Sequence, residues 1–205
     1  MAGGMHFLVG LATDDFVIVA ADKANISFGA IIATDDHNKE FRLGKKLTMA
    51  VIGEQGDTDQ FGEYIKANVS LYAVKNGYEL APHCAHHYIR LLIARGLRSR
   101  DDPRFVVDAL IGGYDDIENK AYLGSVDYLG NSLPSQKFLF RGFSGRFCYS
   151  IMDQQYKPNL TEEEAIKLVD KCIREGKKRF VSNLPGYRLS IIDKNGYRRL
   201  PDIVF

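Results

Sequence analysis

The sequence has no tryptophan, three cysteines, six prolines and almost no charge imbalance in its 205 residues. Each shortage excludes something. With 27 Lys+Arg against 26 Asp+Glu the formal net charge is +1, so a broad electrostatic binder of nucleic acid or of an anionic membrane is not expected. Cys84, Cys148 and Cys172 are odd in number, far apart, and form no C-x-x-C pair, which argues against a disulfide framework and for a reducing compartment. No run of about 18 apolar residues offers a transmembrane helix. The start, Met1-Ala2-Gly3-Gly4-Met5-His6, lacks the cationic and apolar regions of a secretory signal. The expected location is cytosolic or nuclear.

What remains is ordinary globular composition, 45% hydrophobic and 26% charged, long enough to bury roughly 70% of the unfolded chain's surface. The first fifty residues read as a meander of short strands: Phe7–Leu11, Phe16–Ala21 after the turn cluster Thr13-Asp14-Asp15, then stretches around Gly29–Ala33 and Leu47–Ile52. From Asp57, a possible N-cap, the apolar period lengthens through Phe61, Ile65 and Val69 to a stop at Asn76-Gly77, which predicts an amphipathic helix. A second helix is expected from Ala81-Pro82 through Leu97. Strands return at Phe105–Gly113 and Lys120–Val126, joined by a turn at Asp115-Asp116, and again around Phe138–Phe140; Phe147 to Met152 is ambiguous. Thr161-Glu162-Glu163-Glu164 is a capping box opening a helix to about Phe180. Asn195-Gly196 predicts a type I′ hairpin in the last segment. Strands and helices that come in groups, with no linker or repeat, predict one α+β domain spanning 1–205, with antiparallel sheet and layered helices.

Three groups of residues invite a chemical reading. His83 and His87, at i and i+4, can share a helical face as metal ligands, but no Glu completes an H-E-x-x-H pattern; polar histidines at a helix start are the plainer account. Gly53-Glu54-Gln55-Gly56 lies between a strand and a helix, yet matches no phosphate-loop spacing, and Glu54 and Asp57 bring negative charge where a phosphate would sit. No G-x-S-x-G elbow occurs, so no serine or cysteine stands out as a nucleophile. No metal and no cofactor is expected.

Several collinear motifs nevertheless form a pattern: Val17–Lys23, Gly53-Glu54-x-Gly56-Asp57-Thr58, Leu110–Asp115 and Ile151-Met152-Asp153. In them the chain resembles the β subunits of the 20S proteasome. Through Asn76–Leu80, Leu97–Arg100, Lys178–Phe180, Asn183–Pro185 and Ile191–Gly196 it is most similar to one eukaryotic, non-catalytic group of them. The resemblance implies the four-layer αββα sandwich of N-terminal-nucleophile hydrolases. It also implies a set of partners: other β subunits in a seven-membered ring, an opposing β ring and α-ring subunits, with no nucleic acid and no membrane.

Active members of that family use an N-terminal threonine freed by cleavage after a glycine; the hydroxyl attacks while the α-amino group accepts its proton. The register set by Asp22 puts Met5 or His6 at that position, and Gly4-Met5 is not a Gly-Thr processing site. Asp22 matches the family's strand-end aspartate and Lys39 lies close to its active-site lysine, so the two are expected to persist as a structural ion pair. Glu54 is expected at or beside the oxyanion amide, opposing its function. Phe143-Ser144-Gly145 replaces a Ser-Gly-Ser turn, and Arg179-Phe180 stands where an aspartate precedes a Ser-Gly-Gly turn. The resemblance therefore implies a subunit with no catalytic residues that holds its neighbours in the ring. Candidate contact material is Ile26 and Phe28 after the second strand, and the terminal Phe205, each of which can instead cap the subunit's own core. Two other readings stay open: an active threonine-type peptidase with a differently placed N-terminus, and a free-standing metal enzyme using His83, His86 and His87.

Overall fold

The structure is a computed structural model, and it describes residues 4–27, 31–181 and 183–205. Two five-stranded antiparallel sheets carry the molecule. The first has the order β10-β1-β2-β11-β12, built from β1 (Leu8–Ala12), β2 (Phe16–Asp22), β10 (Phe138–Arg141), β11 (Gly186–Asp193) and β12 (Gly196–Val204). The second has the order β5-β6-β7-β8-β9, from β5 (Glu40–Arg42), β6 (Leu47–Gly53), β7 (Val107–Asp115), β8 (Lys120–Val126) and β9 (Ser132–Leu133). A separate ribbon pairs β3 (Asn25–Ser27) with β4 (Ile31–Thr34).

The two-residue period of each strand explains why the sheets stack and why helices cover both outer faces. On β1 and β2, Val9, Leu11, Phe16, Ile18 and Ala20 join the core beneath α3 (Tyr149–Gln155) and α4 (Glu162–Arg179), together with Met152, Val169 and Ile173. The alternate residues Leu8, Ala12, Val17, Val19 and Ala21 meet Ala50, Ile52, Leu110 and Leu123 of the second sheet. On β6 and β7, Met49, Val51, Ala109 and Ile111 turn the other way and pack with Phe61, Ile65, Ile89 and Ile93 of α1 (Gln55–Asn76) and α2 (Pro82–Arg98). Three apolar layers separate four structural layers, helix, sheet, sheet, helix. This is the αββα sandwich of the N-terminal-nucleophile hydrolases, as the resemblance implies. The sheets approach closely at Gly10, where an added Cβ would come within 2.6 Å of Leu123 Cδ1.

Several local expectations hold. Gly77 ends α1 in the left-handed conformation at φ 78°, and Thr161 forms a complete capping box with Glu164. Others do not. The N-cap of α1 is Glu54, and Asp57 lies in the first turn, where its carboxylate accepts from the Val106 amide at 2.8 Å. The first fifty residues form no single meander, because β1 and β2 belong to one sheet, β5 and β6 to another, and β3 to the ribbon. The last hairpin pairs Asp193 with Gly196, so Lys194 and Asn195 form the turn and neither has positive φ, which a type I′ turn requires. Asp193 supplies the alternative: its Oδ1 accepts from the amides of Asn195 at 2.6 Å and Gly196 at 3.2 Å.

Candidate active site

Three chain segments far apart in sequence converge at one end of the sandwich. Asp22 ends β2, His6 lies just ahead of β1, and Lys39 immediately precedes β5. The antiparallel pairing of Leu8 with Ala21 brings the start of β1 alongside the end of β2, which places His6 and Phe7 over Asp22. The Lys39 ammonium then reaches Asp22 Oδ1 at 2.6 Å, in a pair whose side chains are 5% and 0% exposed.

All three ammonium protons of Lys39 are spent. Besides the carboxylate, Nζ donates to the backbone oxygens of Asp22 at 2.8 Å and Ala24 at 2.5 Å. The Asp22 carboxylate is equally well served. Its Oδ1 also accepts from the Ala24 amide at 3.1 Å and lies 3.3 Å from His6 Nδ1, and its Oδ2 accepts from the Phe7 amide at 3.0 Å. Burial alone would raise the Asp22 pKa; the charge of Lys39 and the His6 hydrogen bond outweigh it and hold the carboxyl below its ordinary value. Burial pushes the Lys39 ammonium below its own ordinary value, only partly offset by Asp22.

His6 occupies the position that faces this pair. Its imidazole, 13% exposed, is tied to Asp22, and it shares with His37, Lys39, Gly53 and Thr58 the wall of a cavity of about 20 Å³, close to the space of one water molecule. The Val51 amide donates to Lys39 O at 3.0 Å, and the alternation along β6 turns the Gly53 amide to the same side, two residues further along. Only glycine fits there, since a Cβ would lie 2.2 Å from Val106 O.

Glu54 departs from expectation: its own amide donates to Val106 O at 3.2 Å on the opposite side of the strand, and its side chain is exposed, so it does not set negative charge against the Gly53 amide. The strict two-residue alternation from Val51 was the signal that could have separated the two amides.

Ser144 is buried in a 3-10 turn, Phe143–Phe147, packed against α4. Arg179 turns to Glu175 in an exposed i, i+4 ion pair at 2.6 Å, and Phe180 stacks on Phe143 with ring centroids 5.3 Å apart. The histidines of α2 diverge. His86 is buried, its Nδ1 2.5 Å from Tyr122 Oη and its Nε2 2.9 Å from Ser132 Oγ, whereas exposed His83 lies 3.4 Å from Asp115. Among the described residues no three His, Cys, Asp or Glu side chains cluster as a metal site. Ile26 pairs with Ile32 in the ribbon and packs against the α3/α4 core. Phe28 lies outside the described residues. Phe205 rests edge-on against Tyr187 and beneath Lys177 and Arg174, yet stays 43% exposed.

Two stacked antiparallel sheets with helices on both outer faces are the fold of the N-terminal-nucleophile class. Comparison with known proteins narrows the class. The family model described as proteasome subunit matches residues 6–192. A proteasome subunit beta type-2 of Caenorhabditis elegans is 60% identical over 98% of this chain and its own full length. The proteasome subunit beta type-4 of Saccharomyces cerevisiae is 36% identical, covering 97% of this chain and 98% of its own, and beta type-2-A of Arabidopsis thaliana is 37% identical over 95% and 92%. The chain belongs to the proteasome subunit family.

Proposed function

We propose that this chain, acting over residues 1–205 as one domain, is a non-catalytic β subunit of the 20S proteasome core of the type-2 (β4) kind. It fills one place in a seven-membered β ring, stacked on an opposing β ring and capped by α subunits, and supports degradation of ubiquitin-marked proteins by its active neighbours in the cytosol and nucleus. One observation carries the reading: His6, which has neither hydroxyl nor thiol, lies 3.3 Å from the Asp22 carboxylate that pairs with Lys39, and we take this as the position where the family's threonine acts. An imidazole cannot form the ester that an attacking threonine forms, and Lys39 has no proton left to offer a nucleophile. Loss of a nucleophile alone costs an enzyme several orders of magnitude in rate. The residual Asp22–Lys39 pair then serves the fold by locking β1, β2 and β5 together.

The apolar surface supports an assembled state. Ile31 and Ile32 of the ribbon are 60% and 42% exposed, next to Ile26, and Phe205 shows an uncovered ring edge. We assign Ile26 and Phe205 to subunit contacts on this basis, and Phe28 with them from its place in the sequence alone. The test is a particle isolated through a tag on this chain and weighed intact. A complex containing α and β subunits, with peptide hydrolysis unchanged by His6→Ala, is the expected result. A monodisperse monomer at micromolar concentration, or loss of one peptidase activity with His6→Ala in an intact particle, would overturn it.

A further inference from the structure

A second cluster of reactive side chains lies away from the Asp22–Lys39 site, at the start of α2. Cys84 is exposed, and its Sγ is 3.2 Å from His83 Nε2. The other ring nitrogen, His83 Nδ1, is 3.4 Å from Asp115 Oδ2. The carboxylate is held in place by its other oxygen, because Asp115 Oδ1 accepts from the amides of Ile117 at 2.9 Å and Glu118 at 3.2 Å. Asp115 is 7% exposed on its side chain whereas His83 is 58% exposed, so a fixed, buried carboxylate lies at ion-pair distance from the Nδ1 side of a solvent-facing imidazole.

A carboxylate only accepts, so a neutral imidazole that carries its proton on Nδ1, the side nearer Asp115, presents a bare Nε2 to the thiol. A thiol with an adjacent base whose orientation is set by a third group is the arrangement that activates a sulfur nucleophile. The helix adds to it. Cys84 is the third residue of α2, where the N-cap Ala81 gives the first-turn amides no side-chain acceptor and the first turn has no acidic residue. The helix's own residues therefore leave its positive end unneutralised toward developing negative charge on sulfur, with Asp115 of β7 the acidic group nearby. From α1, Tyr72, bonded to Tyr78 at 2.9 Å, is within electrostatic reach of the same sulfur, and His87 lies further along α2. Cys148 and Cys172 are both buried.

We propose that Cys84 is a thiol-modification site that reacts with low-molecular-weight disulfides, with His83 as proton acceptor and Asp115 as the residue that positions it. The Cys84 S–H proton passes to His83 Nε2 as sulfur attacks one sulfur of R–S–S–R. The S–S bond of the reagent breaks, a Cys84–S–S–R bond forms, and the departing thiolate takes the proton back from the imidazole. Cys84 is oxidised to the mixed disulfide while half of the reagent is reduced to thiol.

The test uses the full-length chain, with whatever it assembles with, and an aromatic disulfide whose released thiol is coloured; peptide mass spectrometry assigns the modified cysteine. Cys84 is expected to react first, with Cys148 and Cys172 unmodified while the chain stays folded. His83→Gln is expected to slow the reaction by at least about tenfold and to remove the imidazole inflection from its pH profile. Asp115→Asn, which keeps the imidazole but loosens its orientation, is expected to slow it less and to shift that inflection. An unmodified Cys84 in folded protein, or a His83→Gln rate and pH profile equal to those of the wild type, would overturn the proposal. An Asp115→Asn profile identical to wild type would overturn the positioning role.

Discussion

Replacing Lys39 by methionine tests whether the buried pair is structural. The substitution preserves most of the side-chain length while deleting a charge that sits against a fully buried carboxylate. Breaking one partner of a buried pair generally costs about 3–5 kcal/mol, because the charge left behind is uncompensated. Asp22 keeps the Phe7 and Ala24 amides and the His6 ring as partners, which places the expected cost near the low end, about 3 kcal/mol. The pH dependence gives a second signature. In the wild type the Asp22 carboxyl is held below its ordinary value, so its contribution is present above that value and is lost only as pH falls through the lowered one. Without Lys39 burial dominates and raises the carboxyl, so the variant's deficit should be greatest near pH 7 and shrink as Asp22 takes up a proton in mild acid. Urea unfolding read by pulse proteolysis at submicromolar protein, from pH 4 to 8, measures both. Adding Asp22→Asn to Lys39→Met should recover part of the loss, a coupling that independent sites would not show. A cost under about 1 kcal/mol with no pH trend would refute the reasoning.

Other predictions follow from single sites. Glu40 is buried, and its carboxyl is pushed above its ordinary value by burial, against the opposing hydrogen bonds of Ser190, Thr48 and Tyr197. The folded state therefore holds that proton more tightly, and stability should decline as pH rises through the raised value; Glu40→Gln should flatten this decline in the same urea series. Thr161→Ala removes the hydroxyl that accepts from the Glu164 amide and should cost about 1 kcal/mol, read as a lower urea midpoint with an unchanged slope. Gly10→Ala forces a methyl between the sheets against Leu123 and should cost about 1–3 kcal/mol, measured the same way.

The parts of the fold written in short-range pattern were legible in the sequence. The capping box at Thr161, the glycine stop after Asn76 and proline at the start of α2 each act within one helical turn, and each stands where expected. Elements set by long-range pairing were not. Nothing local tells β3 to leave both sheets, nor β2 to take β11 as its neighbour. The final hairpin shows a local signal overridden by a competing one, as Asp193 captured two amides ahead of Asn195-Gly196. At the candidate site, the resemblance supplied Asp22 and Lys39. The bonding that spends every Lys39 proton came from backbone oxygens, which carry no side-chain signature. Glu40 was missed for a related reason: a charged residue beside a lysine reads as surface, until three hydroxyls from three strands are seen to meet its carboxylate.

The central claim concerns the residue at the head of β1. The direct measurement is the intact mass of the chain in the assembled particle, combined with labelling by a covalent probe for N-terminal nucleophiles. The account expects His6 to remain internal, preceded by Met5, with the probe attached to neighbouring subunits and absent from this chain. A trimmed chain that begins with a hydroxyl or thiol residue and carries the probe would contradict it.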